Sequence, residues 1–172
     1  GLDSVYVDPF HAGAMVADYL AGRGYRRFLF IGKDYDGKYV GFCQAMEAKG
    51  FGGQTVNTVY ENDEQLRKTV QSWFRSSWNR AAVFASNDIY ALRVLDALRE
   101  LGMSVPGNVG VIGFDDTSTC RYLNPRLSSV SQPMERMARE AVIRLLDRIE
   151  HPGARELLDL PLQAALVTRE ST

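Results

Sequence analysis

The strongest constraint on the fold is a regular alternation of two kinds of segment along the chain. Short runs rich in β-branched and aromatic residues alternate with longer runs whose apolar residues recur at helical spacing. This alternation predicts an α/β fold, an open parallel, Rossmann-like sheet with helices on both faces. The strands are predicted over 4–8, 27–32, 54–60, 81–86, 109–114 and 160–168, and the helices over 12–23, 40–50, 63–77, 87–101 and 134–149.

Length and charge narrow the class of protein. A chain of 172 residues is long enough for one domain with a substantial core. Its 20 basic and 21 acidic residues give a net charge of -1, so the chain itself has no electrostatic means of gripping nucleic acid. It shows neither an apolar run of membrane-spanning length nor a secretory leader, and we expect a cytoplasmic protein with no membrane partner. Because it begins at Gly1 rather than Met, we expect a piece of a longer protein.

Motifs for covalent chemistry are absent. The sequence has no GxSxG, Walker, HExxH or GxGxxG pattern. Cys43 and Cys120 lack a metal-ligand spacing and are interpreted as reduced thiols rather than a disulfide. His11 and His151 show no companion metal ligands. We therefore predict no catalytic site, no metal and no cofactor, and a protein that is not an enzyme.

Polar residues follow every predicted strand up to the fifth. Parallel sheets bind ligands outside the carboxyl ends of their strands, where these residues would meet. They fit a small molecule that carries hydroxyl or other polar groups. In strand order they are Asp8; Lys33, Asp34, Asp36 and Lys38; Glu61, Asn62, Asp63 and Glu64; Ser86, Asn87 and Asp88; and Asp115 and Asp116.

Several of these residues have simpler interpretations. Ser86, Asn87 or Asp88 would suit the N-cap of the following helix, and Asp63 would suit that of the third helix. Lys38 alone fits a solvated surface lysine. One of the two acids after the fifth strand would be enough to cap the next turn, so the second favours a functional role. An acidic pair also binds Mg²⁺ in phosphoacceptor domains, but there it follows the first strand.

The predicted helix at 134–149 carries one strongly apolar stripe. No clear βα unit follows it to cover this stripe, which therefore needs another partner surface. Its members are Met134, Met137, Ala138, Ala141, Val142, Leu145, Leu146 and Ile149.

Four segments in order along the chain resemble the lactose-repressor/galactose-repressor (LacI/GalR) family of bacterial transcriptional regulators. They are "GRGYRRFLFIG", "GFCQAM", "FASNDIYAL" and "VPGNVGVIGFDDTSTCRYLNPRLSSVSQPMERMAREAVIRLLDRI". The resemblance covers nearly the whole chain. It implies a type I periplasmic-binding-protein-like core, in which two α/β lobes close over a sugar or similar effector. It further implies a homodimer that contacts operator DNA through an N-terminal helix-turn-helix.

That helix-turn-helix and the start of the N-terminal lobe are missing from this sequence. By the resemblance, residues 1–132 form the C-terminal lobe and 133–150 a helix of the missing lobe. Residues 151–172 then form a return segment and a final strand. The alternatives are a transport-type sugar-binding protein and a metal-dependent phosphoacceptor domain.

The resemblance also assigns ligand-binding roles. Asp115 matches the acid that accepts hydrogen bonds from effector hydroxyls, and Asn87 matches a ligand-binding amide. Asp88, beside it, is expected to cap the helix. Asp8 falls near the polar position after the first strand, and Gln132 near the crossover between lobes.

Two positions depart from the family pattern. Lys38 occupies the place of an arginine that grips the ligand, and a single ammonium lacks the paired donors of a guanidinium. Glu64 stands where the family often has an aromatic residue that stacks on a sugar ring. Both departures favour an effector other than an ordinary hexose, or no effector.

A dimer surface is expected on the helix after Asn87 and the loop before Pro125. The candidates are Leu92, Leu95, Tyr122 and Leu123. For the two helical leucines, packing against the sheet is the alternative.

Overall fold

The computed structural model describes residues 2–33, 35–52, 55–58, 62–74, 80–153 and 156–172. The strands are β1 (Ser4–Val7), β2 (Arg27–Ile31), β3 (Thr55–Thr58), β4 (Ala81–Ala85), β5 (Val109–Phe114), β6 (Ser128–Ser131), β7 (Asp159–Leu162) and β8 (Ala165–Val167). The helices are α1 (Pro9–Gly22), α2 (Gly37–Ala48), α3 (Asp63–Phe74), α4 (Asp88–Glu100) and α5 (Met134–Glu150), with a 3-10 helix at Ser118–Arg121. Asp34, Glu61, residues 54, 59 and 60 of the predicted third strand and 75–77 of the predicted third helix lie outside the described residues.

Six strands form the main sheet in the order β3-β2-β4-β5-β6-β8. All neighbouring pairs are parallel except the last, where β8 runs antiparallel to β6. The predicted open parallel sheet is confirmed, with one antiparallel strand at its edge. Parallel strands buried on both faces explain why β4 and β5 are apolar throughout.

Side chains of the main sheet alternate between two cores, one on each face. Along β2, Phe28 and Phe30 pack on the side of α1 and α2, whereas Leu29 and Ile31 pack on the side of α3 and α4. All four side chains are fully buried. Burying an aliphatic or aromatic side chain contributes roughly 1.5–3 kcal/mol, so both helix layers are held firmly on the sheet.

Two glycines let α1 and α2 approach closely. A Cβ on Gly13 would lie 2.0 Å from the carbonyl oxygen of Lys38, and one on Gly41 would lie 2.0 Å from that of Phe10. Any larger residue would force the helices apart. This contact fixes the first turn of α2, and with it the backbone of Lys38, beside the sheet.

β1 does not belong to the main sheet. Among the residues that the structure describes, it pairs only with β7, in a separate two-stranded parallel sheet, and α5 packs against β1. The predicted division at residue 132 stays a prediction, and the structure adds that β1 groups with α5 and β7 and not with the other early strands. Sequence separation hid this grouping, since Ser4 pairs with Asp159.

The prediction of one final strand over 160–168 is wrong. It is divided into β7, which pairs with β1, and β8, which pairs with β6, so the chain crosses between the two sheets at residues 163 and 164. β6 was missed altogether. Its sequence, SSVS, is mostly serine and has no apolar run that would predict a strand. The strand is instead held by hydrogen bonds between Ser128 and the C-terminal segment.

Candidate functional site

A polar cavity of about 370 Å³ lies at the carboxyl ends of β2, β4 and β5. We call it the strand-end cavity. Its position agrees with the general rule for ligand sites in open parallel sheets. Three of the predicted ligand-binding residues, Asp115, Asn87 and Lys38, meet there. The complete lining is Gly32, Lys33, Asp36, Lys38, Ser86, Asn87, Tyr90 and Asp115.

The two acids after β5 have separate surroundings. Asp115 lines the strand-end cavity and accepts a hydrogen bond of 2.9 Å from Nε2 of Gln132. Asp116 instead pairs with Arg169 at 2.6 Å, and both side chains are largely buried. Both acids have positive φ, 106° for Asp115 and 49° for Asp116. This left-handed turn separates the carboxylates, so they do not form an acidic pair at one site.

The electrostatic surroundings of Asp115 favour its neutral form. Loss of solvent around the carboxyl group raises its pKa, and the nearby negative charge of Asp88 acts in the same direction. The hydrogen bond from Gln132 and the positive charge of Lys38 act in the opposite direction. The net pKa is above the ordinary value for aspartate. A carboxylate with incomplete solvation is a good acceptor for the hydroxyl groups of an incoming ligand.

Asn87 combines two roles through its two side-chain ends. Its Oδ1 accepts from the backbone N–H of Tyr90 at 2.8 Å and caps α4. Its NH₂ group makes no hydrogen bond to the part of the chain that the structure describes. The cap therefore holds the side chain in one orientation and leaves two donors for a ligand.

Lys38 is not a solvated surface lysine. Its Nζ donates to the carbonyl oxygen of Ser86 at 3.0 Å and lies 3.3 Å from Oδ2 of Asp36. It also sits 4.4 Å from the centre of the Phe114 ring, in cation–π geometry. The ammonium is thus held in the cavity wall, between the end of β4 and the start of α2.

Asp88 does not cap α4, contrary to expectation. Asn87 is the cap, and Asp88, the first helical residue, turns its buried carboxylate towards the segment after β5. That carboxylate accepts from the Thr117 backbone N–H at 2.7 Å, from Cys120 Sγ at 3.1 Å and from Ser129 Oγ at 2.6 Å. Asn and Asp are both favoured N-caps, so the adjacent Asn87 and Asp88 do not show in sequence which of the two caps the helix.

Asp63 and Glu64 also differ from expectation. Oδ1 of Asn62 accepts from the N–H of Gln65 and occupies the capping position predicted for Asp63, which instead pairs with Arg93 of α4. Glu64 pairs with Lys68 on the exposed surface of α3 and does not line the strand-end cavity.

Asp8 lies away from the strand-end cavity. Its carboxylate accepts from the backbone N–H groups of Phe10 and His11 and caps α1. It lines a smaller cavity of about 210 Å³ between α1 and the segment after β7. The structure therefore does not bring Asp8 together with Asp115, and its predicted role in binding remains a prediction.

A second surface depression, of about 860 Å³, lies between α3, α4 and the 122–125 segment; we call it the α4 groove. It contains all four predicted dimer residues, Leu92, Leu95, Tyr122 and Leu123. Tyr122 is 85% exposed, while Leu95 and Leu123 also pack against the core. Arg93, Asp96 and Arg99 add charge to the apolar floor.

Other features bear on function class. Cys43 and Cys120 are free thiols, and burial together with the Asp88 carboxylate raises the pKa of Cys120 to about 11. No helix among the described residues is long and apolar enough to span a bilayer. Within the same residues, no three His, Cys, Asp or Glu side chains converge in a way that would hold a metal ion.

Sequence reasoning missed two residues at this end of the sheet. Tyr90 lines the strand-end cavity. Its position in the first turn of α4, three residues after the cap Asn87, could have indicated this. Arg169 anchors Asp116 from 53 positions away, and no local pattern indicates that contact.

The fold and the cavity place the chain in a known class. Residues 17–172 match the family described as periplasmic binding protein-like domain, and the chain belongs to this family, in its LacI/GalR regulator branch. It is 32% identical over 177 aligned positions to the HTH-type transcriptional repressor PurR of Salmonella paratyphi B, covering 98% of this chain and 51% of that protein. The chain spans about half the length of the curated relatives it matches.

Solved structures agree with this assignment. A LacI family transcriptional regulator from Enterococcus faecium with bound ribose superposes with a TM-score of 0.86 at 25% identity, over 99% of this chain and 65% of that one. The transcriptional regulator CelR in complex with cellobiose gives a TM-score of 0.85 at 28% identity, over 99% of this chain and 54% of that one.

Proposed function

We propose that this chain is the effector-binding and dimerisation part of a cytoplasmic bacterial transcriptional regulator. In this proposal the strand-end cavity binds a small hydroxyl-rich effector, of carbohydrate type, and the chain performs no covalent chemistry. The observation that carries the proposal is the convergence of Asp115 and Asn87, from β5 and α4, on one cavity with an acceptor and two donors. Ribose and cellobiose in the two related regulators support this ligand class.

Lys38 modifies the expected ligand chemistry. Its ammonium already contacts Ser86, Asp36 and the Phe114 ring. We therefore assign it to the cavity wall, where it offers positive charge but few vacant donors. Discrimination among ligands then depends mainly on Asp115, which follows β5, and on Gln132, which follows β6 and donates a hydrogen bond to Asp115.

The direct test is thermal unfolding of this chain with a panel of pentoses, hexoses, sugar phosphates and purines. A compound present at 100 times its dissociation constant adds about 2.7 kcal/mol to stability and raises the midpoint visibly. We expect one of the sugars other than an ordinary hexose to raise it, and Asp115→Ala to abolish the rise. Asp18→Ala is the matched control, since Asp18 is an exposed acid of α1 that pairs with Lys49 at the end of α2. A rise that survives in Asp115→Ala would contradict the proposed site.

The second part of the proposal concerns association. The α4 groove joins apolar floor to charged rim, the composition of a self-complementary interface, and we assign it to a homodimer. Leu92→Asp should shift the chain to a monomer in sedimentation, because it buries an unpaired charge at the interface. Val40→Asp on α2 is the matched control: Val40 and Leu92 are 37% and 38% exposed. A dimer unaffected by Leu92→Asp would rule out this surface.

The third part concerns the unit of β1, β7 and α5. We propose that it belongs to a second lobe, most of which lies outside this sequence. The apolar stripe of α5 supports this, because Leu145, Leu146 and Ile149 are each more than half exposed. Operator DNA would be contacted only through a helix-turn-helix in the longer protein, as the name of the PurR relative suggests. Solubility of the chain should improve when a segment that covers this stripe is co-expressed.

A further inference from the structure

The segment at 115–125 joins the two surfaces described above. It begins at Asp115, in the strand-end cavity, and ends at Tyr122, Leu123, Asn124 and Pro125, in the α4 groove. Between them lies the 3-10 helix, whose only buried residue is Cys120. A shift of this segment would therefore move a cavity residue and groove residues together.

One carboxylate anchors this segment to the rest of the molecule. Oδ2 of Asp88 accepts from the Thr117 N–H, just before the 3-10 helix, and from the Cys120 thiol within it. Oδ1 accepts from the Ser129 hydroxyl of β6 at 2.6 Å. Asp88 itself begins α4, the helix that supplies residues to both surfaces.

Ser129 extends the anchor to the strained turn. Its Oγ accepts from the Asp116 N–H at 3.0 Å while donating to Asp88, so the hydroxyl relays one contact to the other. Asp115 and Asp116 both have positive φ, a conformation that persists only where surrounding contacts enforce it. The Asp115 N–H also donates to the carbonyl oxygen of Val130 at 2.9 Å.

Space around the anchor is fully used. A Cβ on Gly113 would lie 2.3 Å from Oδ1 of Asp88, so β5 passes directly over the carboxylate. Asp88 and Ser129 are 6% and 0% exposed. The carboxylate therefore has no freedom to take up other partners, and its three bonds set the position of the segment.

We propose that Asp88 is a positioning residue that holds Asp115 at the strand-end cavity and, through Cys120, holds the 122–125 segment at the α4 groove. The cavity and the groove thereby share one anchor, and displacement of one is transmitted to the other. This inference rests on the proposed function for its biological meaning, but its physical content requires no effector.

The test is NMR of this chain without ligand. In the wild type, the Asp116 and Thr117 amides should exchange slowly with solvent although they lie outside helices and strands. Ser129→Ala should speed exchange of the Asp116 amide about tenfold or more, because it leaves that N–H without its acceptor. It should also shift the side-chain amide signal of Gln132, which reports the position of Asp115.

Asp88→Asn completes the test. It should shift both the Gln132 side-chain signal and the Tyr122 backbone amide signal, since it weakens the bonds to Ser129, Thr117 and Cys120. Ser131→Ala is the matched control on β6, because the Ser131 hydroxyl makes no side-chain hydrogen bond within the described residues; it should move neither signal.

Two results would overturn the inference. One is rapid exchange of the Asp116 and Thr117 amides in the wild type, which is measurable even when a variant fails to fold. The other is a folded Asp88→Asn chain in which one or both signals keep their wild-type positions. If no sugar bound, the proposed function would be contradicted, but these NMR results would not change. The proposed function and the role of Asp88 are therefore tested separately.

Discussion

The main sheet and the small β1–β7 sheet differ in how their apolar surfaces are covered. Helices cover both faces of the main sheet, and its strands β4 and β5 are buried along their whole length. The small sheet has one helix, α5, none of whose residues is buried. The buried residues of the small sheet, Val7 and Leu162, belong to the core on the α1 and α2 side, whereas the apolar stripe of α5 is left exposed. The difference teaches that apolar periodicity identifies a buried face but does not identify the segment that buries it.

Substitution of Phe84 should give the largest effect. Phe84 is fully buried and packs against Phe30 and Phe42, with ring centres 5.3 and 5.4 Å away. Phe84→Ala should cost roughly 3–5 kcal/mol in the free energy of unfolding. Leu146→Ala on α5 should change it by less than about 0.5 kcal/mol, because that side chain is already exposed. Urea unfolding of both variants measures the contrast, and equal losses would mean that α5 is covered in solution.

Removing Arg169 should give the next largest effect. Arg169→Ala leaves Asp116 as a largely buried carboxylate without its cation, and loss of this hydrogen bond between charged groups should cost about 1.5–3 kcal/mol. Lys68→Ala provides the comparison, since the Glu64–Lys68 pair is about three-quarters exposed and its loss should have little effect on stability. A small loss in Arg169→Ala would show that the pair is solvated, contrary to the geometry.

The two regions should respond to pH in opposite directions. Arg148 and Arg144, with the Leu158 N–H, hold the pKa of Asp3 well below its usual range. Its contribution to stability is therefore present above about 3.9, the unfolded pKa, and is lost as pH falls below it. The pKa of Asp115 is raised, so its charged form costs stability at neutral pH and the cost disappears as pH falls.

Substitutions separate these two effects at pH 7. Asp3→Asn should lower the midpoint of thermal unfolding, and Asp115→Asn should raise it slightly. A rise is typical of a site residue whose charge is kept for binding rather than for stability. If Asp115→Asn lowered the midpoint, the carboxylate would be serving the fold and not the cavity.

Sequence reasoning succeeded where the structural cause is local. β5 begins and ends where the apolar run predicted, and the polar residues after β2, β4 and β5 meet as the topology of a parallel sheet requires. The Asn87 and Asp88 roles were partly exchanged, because either side chain suits the end of a helix and only the tertiary contacts to Thr117 and Ser129 decide between them.

Sequence reasoning failed where the contacts that decide the structure join residues far apart in the chain. β6 is a strand because its serines bond to the C-terminal segment, as in the contact of Ser128 N–H with Ser171 Oγ. β1 pairs with a strand more than 150 positions away. Asp116 looked like half of an acidic pair, but it pairs with Arg169 and does not line the strand-end cavity.

The most direct test of the central claim is NMR of side-chain amide signals during titration with the pentoses and hexoses of the panel. If the strand-end cavity is the effector site, a binding sugar should shift the signals of Asn87 and Gln132. It should leave those of Gln163, in the cavity beside Asp8, and Asn108, in the turn before β5, in place. Shifts at Gln163 or Asn108 with none at Asn87 and Gln132 would contradict the account.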